Sequence, residues 1–142
     1  MVANVATKDE YADATITVDA HTSEDTPQAQ VWLYCRRFGS VPSGYRFRVE
    51  PASQRFSVDR VDKAQATTLV SLRTADAINS GSDMNHLELT CTGSTIAGSI
   101  NGQPVFSVQD ATYSQGTLNI GASGPPDGAG EIRFANFAVL QA

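Results

Sequence analysis

Polar and apolar side chains alternate along most of this chain, and that pattern restricts its fold more than any other feature. His86 to Cys91 alternates strictly, and Tyr45 to Glu50 does the same. Successive side chains of a β-strand point to opposite faces of its sheet, so a period of two residues predicts half-buried strands. The strongest helical candidate, residues 64–77, contains Thr67, Thr68 and Val70, which prefer extended backbone. We therefore predict an all-β protein.

Turn signals divide the chain into about nine strands. Asn101-Gly102 is the strongest of these signals, since a tight hairpin needs residues that tolerate positive φ. Pro104 has no backbone N–H to donate, so we predict that the next strand begins where no partner strand needs one. Asp110 precedes small polar residues, so its carboxylate can accept hydrogen bonds from backbone N–H groups in a turn. Short strands without helices predict a sandwich or a barrel.

A single domain accounts for the whole chain, whose 142 residues are within the usual size of one domain. We expect residues 1–142 to be a piece excised from a larger protein, because a charged, turn-rich opening passes into a strand without a linker. No apolar run reaches the roughly 18 residues that a membrane helix needs, so we expect no membrane insertion.

The net charge of −5 argues against a nucleic-acid partner, which needs a surplus of Lys and Arg on one face. The basic residues are nevertheless unevenly spread, and a local basic patch is compatible with the sequence. They crowd one stretch, which contains Arg36, Arg37, Arg46, Arg48, Arg55, Arg60 and Lys63.

The two cysteines, Cys35 and Cys91, are each in phase with the apolar side of their strand, so both side chains face the core. One alternative is a pair of separate buried thiols, which behave as small hydrophobes. We favour the other, a disulfide between two strands, since nothing nearby suggests zinc ligation. The bridge would stabilise the fold by about 4 kcal/mol on the chain-entropy model. It would also place the protein outside a reducing cytoplasm.

Several segments in the second half of the chain match one group of known proteins. They are NHLELTCTGS (85–94), INGQ (100–103), VQDATYSQG (108–116) and EIRFANF (131–137), preceded by CRR (35–37), GYRF (44–47) and ADAIN (75–79). Together they resemble a bacterial, non-catalytic branch of the concanavalin A-like (laminin-G-like, laminarinase-type) jelly-roll superfamily. The resemblance implies a two-sheet antiparallel β-sandwich. Its motifs are architectural and indicate a fold rather than an activity.

The chain differs from these relatives at both ends. Relatives usually begin earlier, with a tryptophan-bearing segment and an additional N-terminal strand, which we expect this chain to lack. They often have Phe-Asp-Asn in the last strand, where this chain has Ala135, so no role of that carboxylate carries over. Phe134 and Phe137 are three residues apart and cannot share a face of a regular strand. Either one of them caps the sandwich edge or a bulge intervenes.

We find no catalytic motif and expect a protein that is not an enzyme. Laminarinase-type enzymes resemble one another in a Glu-x-Asp-x-x-Glu strand motif, which this sequence lacks. Glu88 stands alone on its strand beside His86 and Thr90, and an acid pair drawn from different strands is the alternative. His21 lies in a polar loop, and no nucleophile elbow, phosphate loop or dinucleotide fingerprint is present.

We expect no cofactor and no metal, with one alternative. Many laminin-G-like sandwiches are similar in carrying a structural calcium ion. The loop residues Ser23-Glu24-Asp25 and Asp83 could supply oxygen ligands, although acids in loops are usually only solvated.

A group of aromatic and basic residues is the candidate ligand site. Strand alternation predicts that Trp32, Tyr34 and Arg36 lie opposite Cys35, and that Arg46 and Arg48 lie on the polar face of the next strand. Antiparallel pairing of the two strands would place aromatic rings beside guanidinium groups. Such a face can stack a sugar ring and bind its hydroxyls, or hold a carboxylate. Alternatively, the aromatic rings pack under a loop or against another part of a parent protein.

We therefore predict a non-catalytic, extracellular or cell-envelope module that binds a glycan or a protein partner through this face. The first alternative is a glycoside hydrolase with a non-local acid pair. The second is a structural subunit whose aromatic face is buried in a larger assembly.

Overall fold

The protein is a two-layered β-sandwich, seen in a computed structural model that describes residues 2–22, 28–80, 83–124 and 132–141. Within those residues it contains eleven strands and no helix. Their bounds are β1 Val2–Ala6, β2 Ala14–Thr22, β3 Gln30–Phe38, β4 Ser43–Glu50, β5 Arg55–Asp62, β6 Gln65–Thr74, β7 Asn85–Thr92, β8 Thr95–Ile100, β9 Gln103–Gln109, β10 Thr117–Ser123 and β11 Ile132–Gln141.

All neighbouring strands run antiparallel. One sheet has six strands in the order β1-β10-β3-β4-β5-β6, and the other has five in the order β11-β2-β7-β8-β9. The prediction of an all-β sandwich is confirmed. No described segment forms a helix with the length and hydropathy of a membrane span.

The core lies between the sheets and follows from the alternation seen in the sequence. Ile16, Leu33, Phe47, Leu87 and Ile100 are fully buried, and each lies on the inward side of a different strand. Burying one such side chain contributes about 1.5–3 kcal/mol, so the inward rows of the central strands provide most of the stabilisation.

The strands differ from the expectation in number. The structure has eleven strands, slightly more than the nine expected. One of them is a strand near the N-terminus that sequence analysis did not identify, since Val2–Ala6 pairs along its whole length with β10. A five-residue edge strand carries too little alternation to be recognised alone.

In β11 the structure decides between two alternatives. The register with β2 shifts between Ala135 and Ala138, and Asn136 has a φ of 55°. A bulge therefore separates Phe134 from Phe137, as one of the alternatives required.

The predicted disulfide joins Cys35 of β3 to Cys91 of β7, with 6.4 Å between their Cα atoms. Since β3 and β7 belong to different sheets, the bridge connects the two layers directly. The prediction from strand phase is confirmed.

Asp110 fixes the connection between β9 and β10 to the end of the sandwich. Its carboxylate accepts hydrogen bonds from the Tyr45 hydroxyl (2.6 Å), the Thr112 backbone N–H (3.0 Å) and the Arg60 guanidinium (2.8 Å). Burial opposes ionisation, but these donors hold the pKa of Asp110 at about 2. Burial and the neighbouring carboxylate raise the pKa of Tyr45 to about 12. The turn predicted at Asp110 is therefore present, with additional partners from other strands.

Candidate ligand-binding face

The outward side of the six-stranded sheet brings together four of the five predicted site residues. Trp32 lies directly opposite Arg48 and Tyr34 directly opposite Arg46, in the antiparallel register of β3 and β4. Their neighbours along each strand belong to the core, so all four side chains leave the sheet on its outer side. We call this surface the Trp32 face. It comprises Trp32, Tyr34, Arg37, Arg46, Arg48, Ser57, Asp59 and Asn119.

The flanking strands extend the Trp32 face on both sides. On β5, Asp59 pairs with Arg46 at 2.8 Å, and Ser57 lies opposite Arg48. On β10, Asn119 lies opposite Tyr34, whereas Gly121 lies opposite Trp32. Because glycine has no side chain, β10 places no side chain directly opposite Trp32.

Much of this face is buried although it lies outside the core. Tyr34, Ser57, Asp59 and Asn119 expose between 1% and 6% of their surface. Arg37 contributes to this cover, since its guanidinium carbon lies 5.6 Å from the centre of the Tyr34 ring. Tyr34 therefore points outward as predicted but is covered by its neighbours, whereas Trp32 is only partly covered.

Several buried polar atoms of the Trp32 face have no hydrogen-bond partner. Seven buried side-chain atoms of the described residues lack one, and six of them belong to this face. These six are Trp32 Nε1, Arg37 Nε, Arg46 Nε, Arg48 Nε, Ser57 Oγ and Asn119 Oδ1. An unpaired buried polar group typically costs about 1–3 kcal/mol. Such groups usually have a partner, so their concentration on one face makes the Trp32 face the candidate site of the six-stranded sheet.

Arg36 is not part of this face, which corrects the prediction from alternation. Its side chain is 2% exposed and donates to the carbonyl oxygens of Ala12 (2.9 Å), Gly93 (2.7 Å) and Tyr113 (3.0 Å). It also forms an ion pair with Asp13 at 3.3 Å. Arg36 therefore holds together segments at one end of the sandwich.

A bulge in β3 explains why alternation misplaced Arg36. The register shifts against both β4 and β10 within residues 34–38, and Arg36 has a φ of 54°. One extra residue reverses which side chains face outward. Arg37 consequently lies on the Trp32 face in the place predicted for Arg36. The adjacent pair Arg36-Arg37 was the only signal in the sequence, and it does not say which arginine turns inward.

A cavity of about 360 Å³ opens at one end of the Trp32 face. Gln30 and Glu50 continue the outward rows of β3 and β4 into it. Its volume is in the range of small-molecule sites. The lining residues are Gln28, Ala29, Gln30, Glu50, Ser53 and Arg55.

A second polar group lies on the outer side of the five-stranded sheet, and we call it the His86 cluster (Asp19, His86, Glu88 and Asn136). His86 Nδ1 lies 2.6 Å from Asp19 Oδ1, and its Nε2 lies 3.2 Å from Glu88 Oε1. Asn136 Nδ2 donates to Asp19 Oδ2 at 2.6 Å. Hydrogen bonds from Asn136 and His86 hold the pKa of Asp19 below its usual range. The same Asp19 contact, with Glu88, raises the pKa of His86.

Sequence analysis missed this cluster because its members come from three strands. Glu88 does not stand alone, since Asp19 of β2 lies opposite His86 of β7. Asn136 reaches Asp19 from the bulge in β11. Alternation places each residue on the outward side of its strand, but it does not say which strands are neighbours.

The calcium hypothesis stays a prediction. Ser23-Glu24-Asp25 lies outside the described residues, while Asp83 is described and exposed. Within the described part of the chain, no group of three or more His, Cys, Asp or Glu residues could hold a metal ion.

Comparisons with known proteins show which family and which fold the chain resembles. The sequence model of the 3-keto-alpha-glucoside-1,2-lyase-like domain matches residues 2–140. A comparison with curated proteins found no match.

Solved structures with the same fold include proteins of different kinds. The carbohydrate binding module CBM66 from Bacillus subtilis superposes with a TM-score of 0.81 at 13% identity, covering 99% of this chain and 82% of that one. Sheep galectin-11 in complex with glycerol superposes with a TM-score of 0.65 at 10% identity, covering 99% of this chain and 96% of that one. A lichenase (β-1,3-1,4-glucanase) from a mouse hindgut metagenome superposes with a TM-score of 0.72 at 8% identity, covering 97% of this chain and 70% of that one. At these identities the likeness establishes the fold alone.

Proposed function

The chain belongs to the 3-keto-alpha-glucoside-1,2-lyase-like domain family, and we propose that it is a non-catalytic module that binds a glycan through the Trp32 face. The ligand stacks a sugar ring on the indole of Trp32. Its hydroxyl groups pair with the polar atoms that surround the ring.

The unpaired polar atoms carry this proposal. Ser57 Oγ can donate or accept, Asn119 Oδ1 accepts, and Trp32 Nε1 and the arginine Nε atoms donate. Sugar hydroxyls are both donors and acceptors, so a glycan matches this mixed set better than a purely apolar ligand. Gly121 lies opposite Trp32 and presents no side chain that could cover the indole from that position of β10. Aromatic side chains with such neighbours combine apolar contact with directed hydrogen bonds.

The comparisons support the same class of ligand. A carbohydrate binding module and two galectins share the fold, and so does the lichenase, a β-1,3-1,4-glucanase. An extracellular or cell-envelope location accompanies the proposal, because the Cys35–Cys91 disulfide requires an oxidising compartment.

Replacing Trp32 by Ala tests the proposal. Affinity electrophoresis against a panel of neutral and acidic polysaccharides first identifies a bound polymer. The substitution should then weaken binding by about 1–3 kcal/mol, because a central aromatic contact is lost from a surface rather than a core. Phe137→Ala is the matched control, since this aromatic residue is 39% exposed on the other sheet.

Two results would contradict the proposal. Equal loss of binding in Trp32→Ala and Phe137→Ala would show that the effect is not specific to the Trp32 face. A severe loss of stability on Trp32→Ala, measured by urea unfolding, would show that Trp32 acts as a core residue.

A glycan-processing enzyme is the second candidate, and the His86 cluster favours it. The cluster joins a histidine with a raised pKa to two carboxylates, and these are side chains that act as general acids and bases in enzymes. The family description also names a lyase. Product release from polysaccharides or 3-keto-glucosides that His86→Gln and Glu88→Gln both abolish would establish this function. If the unmodified protein turns over none of these substrates, the result supports a binding function alone.

A further inference from the structure

We propose that the glycan bound on the Trp32 face carries a negatively charged group, and that Arg48 together with Arg37 neutralises it. This inference rests on the proposed function and adds the chemical class of the ligand. A carboxylate of a sugar acid and a sulfate ester share the required chemistry, since both accept two parallel hydrogen bonds from one guanidinium group.

Charge on the Trp32 face is unbalanced. It carries three arginines, Arg37, Arg46 and Arg48, and Asp59 pairs with one of them, Arg46, at 2.8 Å. Neither Arg37 nor Arg48 has an ion pair with a described residue, and the buried Nε of each lacks a hydrogen-bond partner. Among the described residues, the face therefore holds two arginines without a paired acid, in a protein whose net charge is −5.

A shortage of acids does not explain this imbalance. The chain has 15 Asp and Glu residues against 10 Lys and Arg residues. Three arginines outside the face have acidic partners among the described residues. Those described pairs are Arg36–Asp13, Arg55–Glu50, and Arg60 with Asp62 and Asp110. Arg37 and Arg48 differ from them in lying within the half-buried face beside the partly covered indole of Trp32.

Partial burial makes the lack of a partner informative. A guanidinium group loses hydration where its Nε is enclosed, and without a counter-charge that loss is not compensated. The nearest cross-strand neighbours of Arg48 are Trp32 and Ser57, neither of which carries charge. An anionic group of a ligand would supply the missing counter-charge and the missing hydrogen-bond acceptor together.

The register places the two parts of the ligand next to each other. Directly opposed residues of an antiparallel pair have Cβ atoms about 4.5–5.5 Å apart. Arg48 is directly opposed to Trp32, so an acidic substituent on a ring stacked over the indole reaches this guanidinium group. Arg37 and the paired Arg46 lie around Tyr34 in the adjacent row.

The experiment compares two charged polymers with their neutral forms. Polygalacturonate is compared with its fully methyl-esterified form, and carrageenan with its desulfated form, using isothermal titration calorimetry or affinity electrophoresis. We expect one charged polymer to bind about 10-fold or more tightly than its neutral form, and this preference to fall as salt is raised. The polymer that shows it identifies the anionic group as carboxylate or sulfate.

Variants show whether the Trp32 face is responsible. Arg48→Gln should weaken binding of the charged polymer about 10-fold and thereby reduce the preference for the charged over the neutral form. Trp32→Ala should weaken binding of both forms. Arg73→Gln is the control for net charge, because Arg73 lies on β6 and its side chain donates to Ser71 among the described residues.

The outcomes separate the two proposals. Equal binding of charged and neutral forms, lost in Trp32→Ala and unchanged in Arg48→Gln, overturns the inference about charge and leaves glycan binding in place. Charge-dependent binding that Arg73→Gln weakens as much as Arg48→Gln also overturns it, since attraction would then be general. Binding of neither charged nor neutral polysaccharides across the panel overturns both.

Discussion

Replacing Arg36 by Met should lower the stability of the protein severely, although sequence alternation places Arg36 on the ligand-binding side. In the structure its guanidinium group donates to three backbone carbonyl oxygens, at 2.7–3.0 Å, and to the carboxylate of Asp13. Methionine fills a similar volume but cannot donate. The three carbonyl groups then lose their partner at a site where the arginine is 2% exposed.

The expected magnitude follows from these contacts. A hydrogen bond to a charged group contributes about 1.5–3 kcal/mol, and three of them give roughly 4.5 kcal/mol at the lower value. A cavity lined by Arg36, Gly93 and Tyr113 gives water access to the vacated carbonyl groups, which reduces the loss. We therefore expect a loss of about 3–4 kcal/mol, in line with the disruption of a buried ion pair.

Urea unfolding followed by tryptophan fluorescence measures this loss. With a slope of about 2 kcal/mol per molar urea, the midpoint should fall by about 1.5–2 M. Arg48→Met is the matched control, because Arg48 has no ion pair or hydrogen bond to a described residue. Its stability should not fall, because the substitution removes no ion pair and relieves an unpaired buried Nε. Midpoints that agree between the two variants would refute the structural role of Arg36.

The remaining predictions concern the disulfide, one glycine and the pH dependence of stability. Cys91→Ser should cost about 4 kcal/mol because it opens a loop of 56 residues closed by Cys35; a urea midpoint insensitive to reductant would contradict this. Gly116→Ala should destabilise the protein by more than about 2 kcal/mol, because the new Cβ would lie 2.3 Å from a backbone carbon of the facing strand. Gly93→Ala is the comparison: its Cβ would meet nothing within 4 Å, so only the φ of +56° opposes it, at about 1–2 kcal/mol of backbone strain. Equal losses of stability in the two variants would exclude the clash. The folded-state pKa of His86 is raised, so its contribution to stability is fully present below pH 6.5 and is lost as pH rises through the raised value. The difference in unfolding free energy between the unmodified protein and His86→Gln should therefore shrink from pH 6 to pH 9. A difference that grows with pH would refute this prediction.

The strands and the disulfide could be predicted from local pattern, and for one reason. Where a strand is regular, a period of two residues determines which side chains face inward, without knowledge of its neighbours. This applies to Leu33 and Cys35 of β3 and to Leu89 and Cys91 of β7, all of which are buried as expected. The same regularity correctly placed Trp32 and Tyr34 on the outer side of the sheet.

The candidate site was only partly predictable, because its composition depends on neighbouring strands. Asn119 and Ser57 belong to the Trp32 face through the register of β10 with β3 and of β5 with β4. Neither residue is distinctive in the sequence. Their unpaired polar atoms become visible only when the strands are assembled.

Sequence by itself therefore determined the all-β class, the inward rows of the regular strands and the phase of the two cysteines. Only the tertiary structure decided that Arg36 turns inward and Arg37 outward, because the position of a bulge depends on the register with both flanking strands. It also decided that Asp19 meets His86, 67 residues away along the chain. Alternation is a property of one strand, whereas charge pairing and the content of a sheet face are properties of several strands at once.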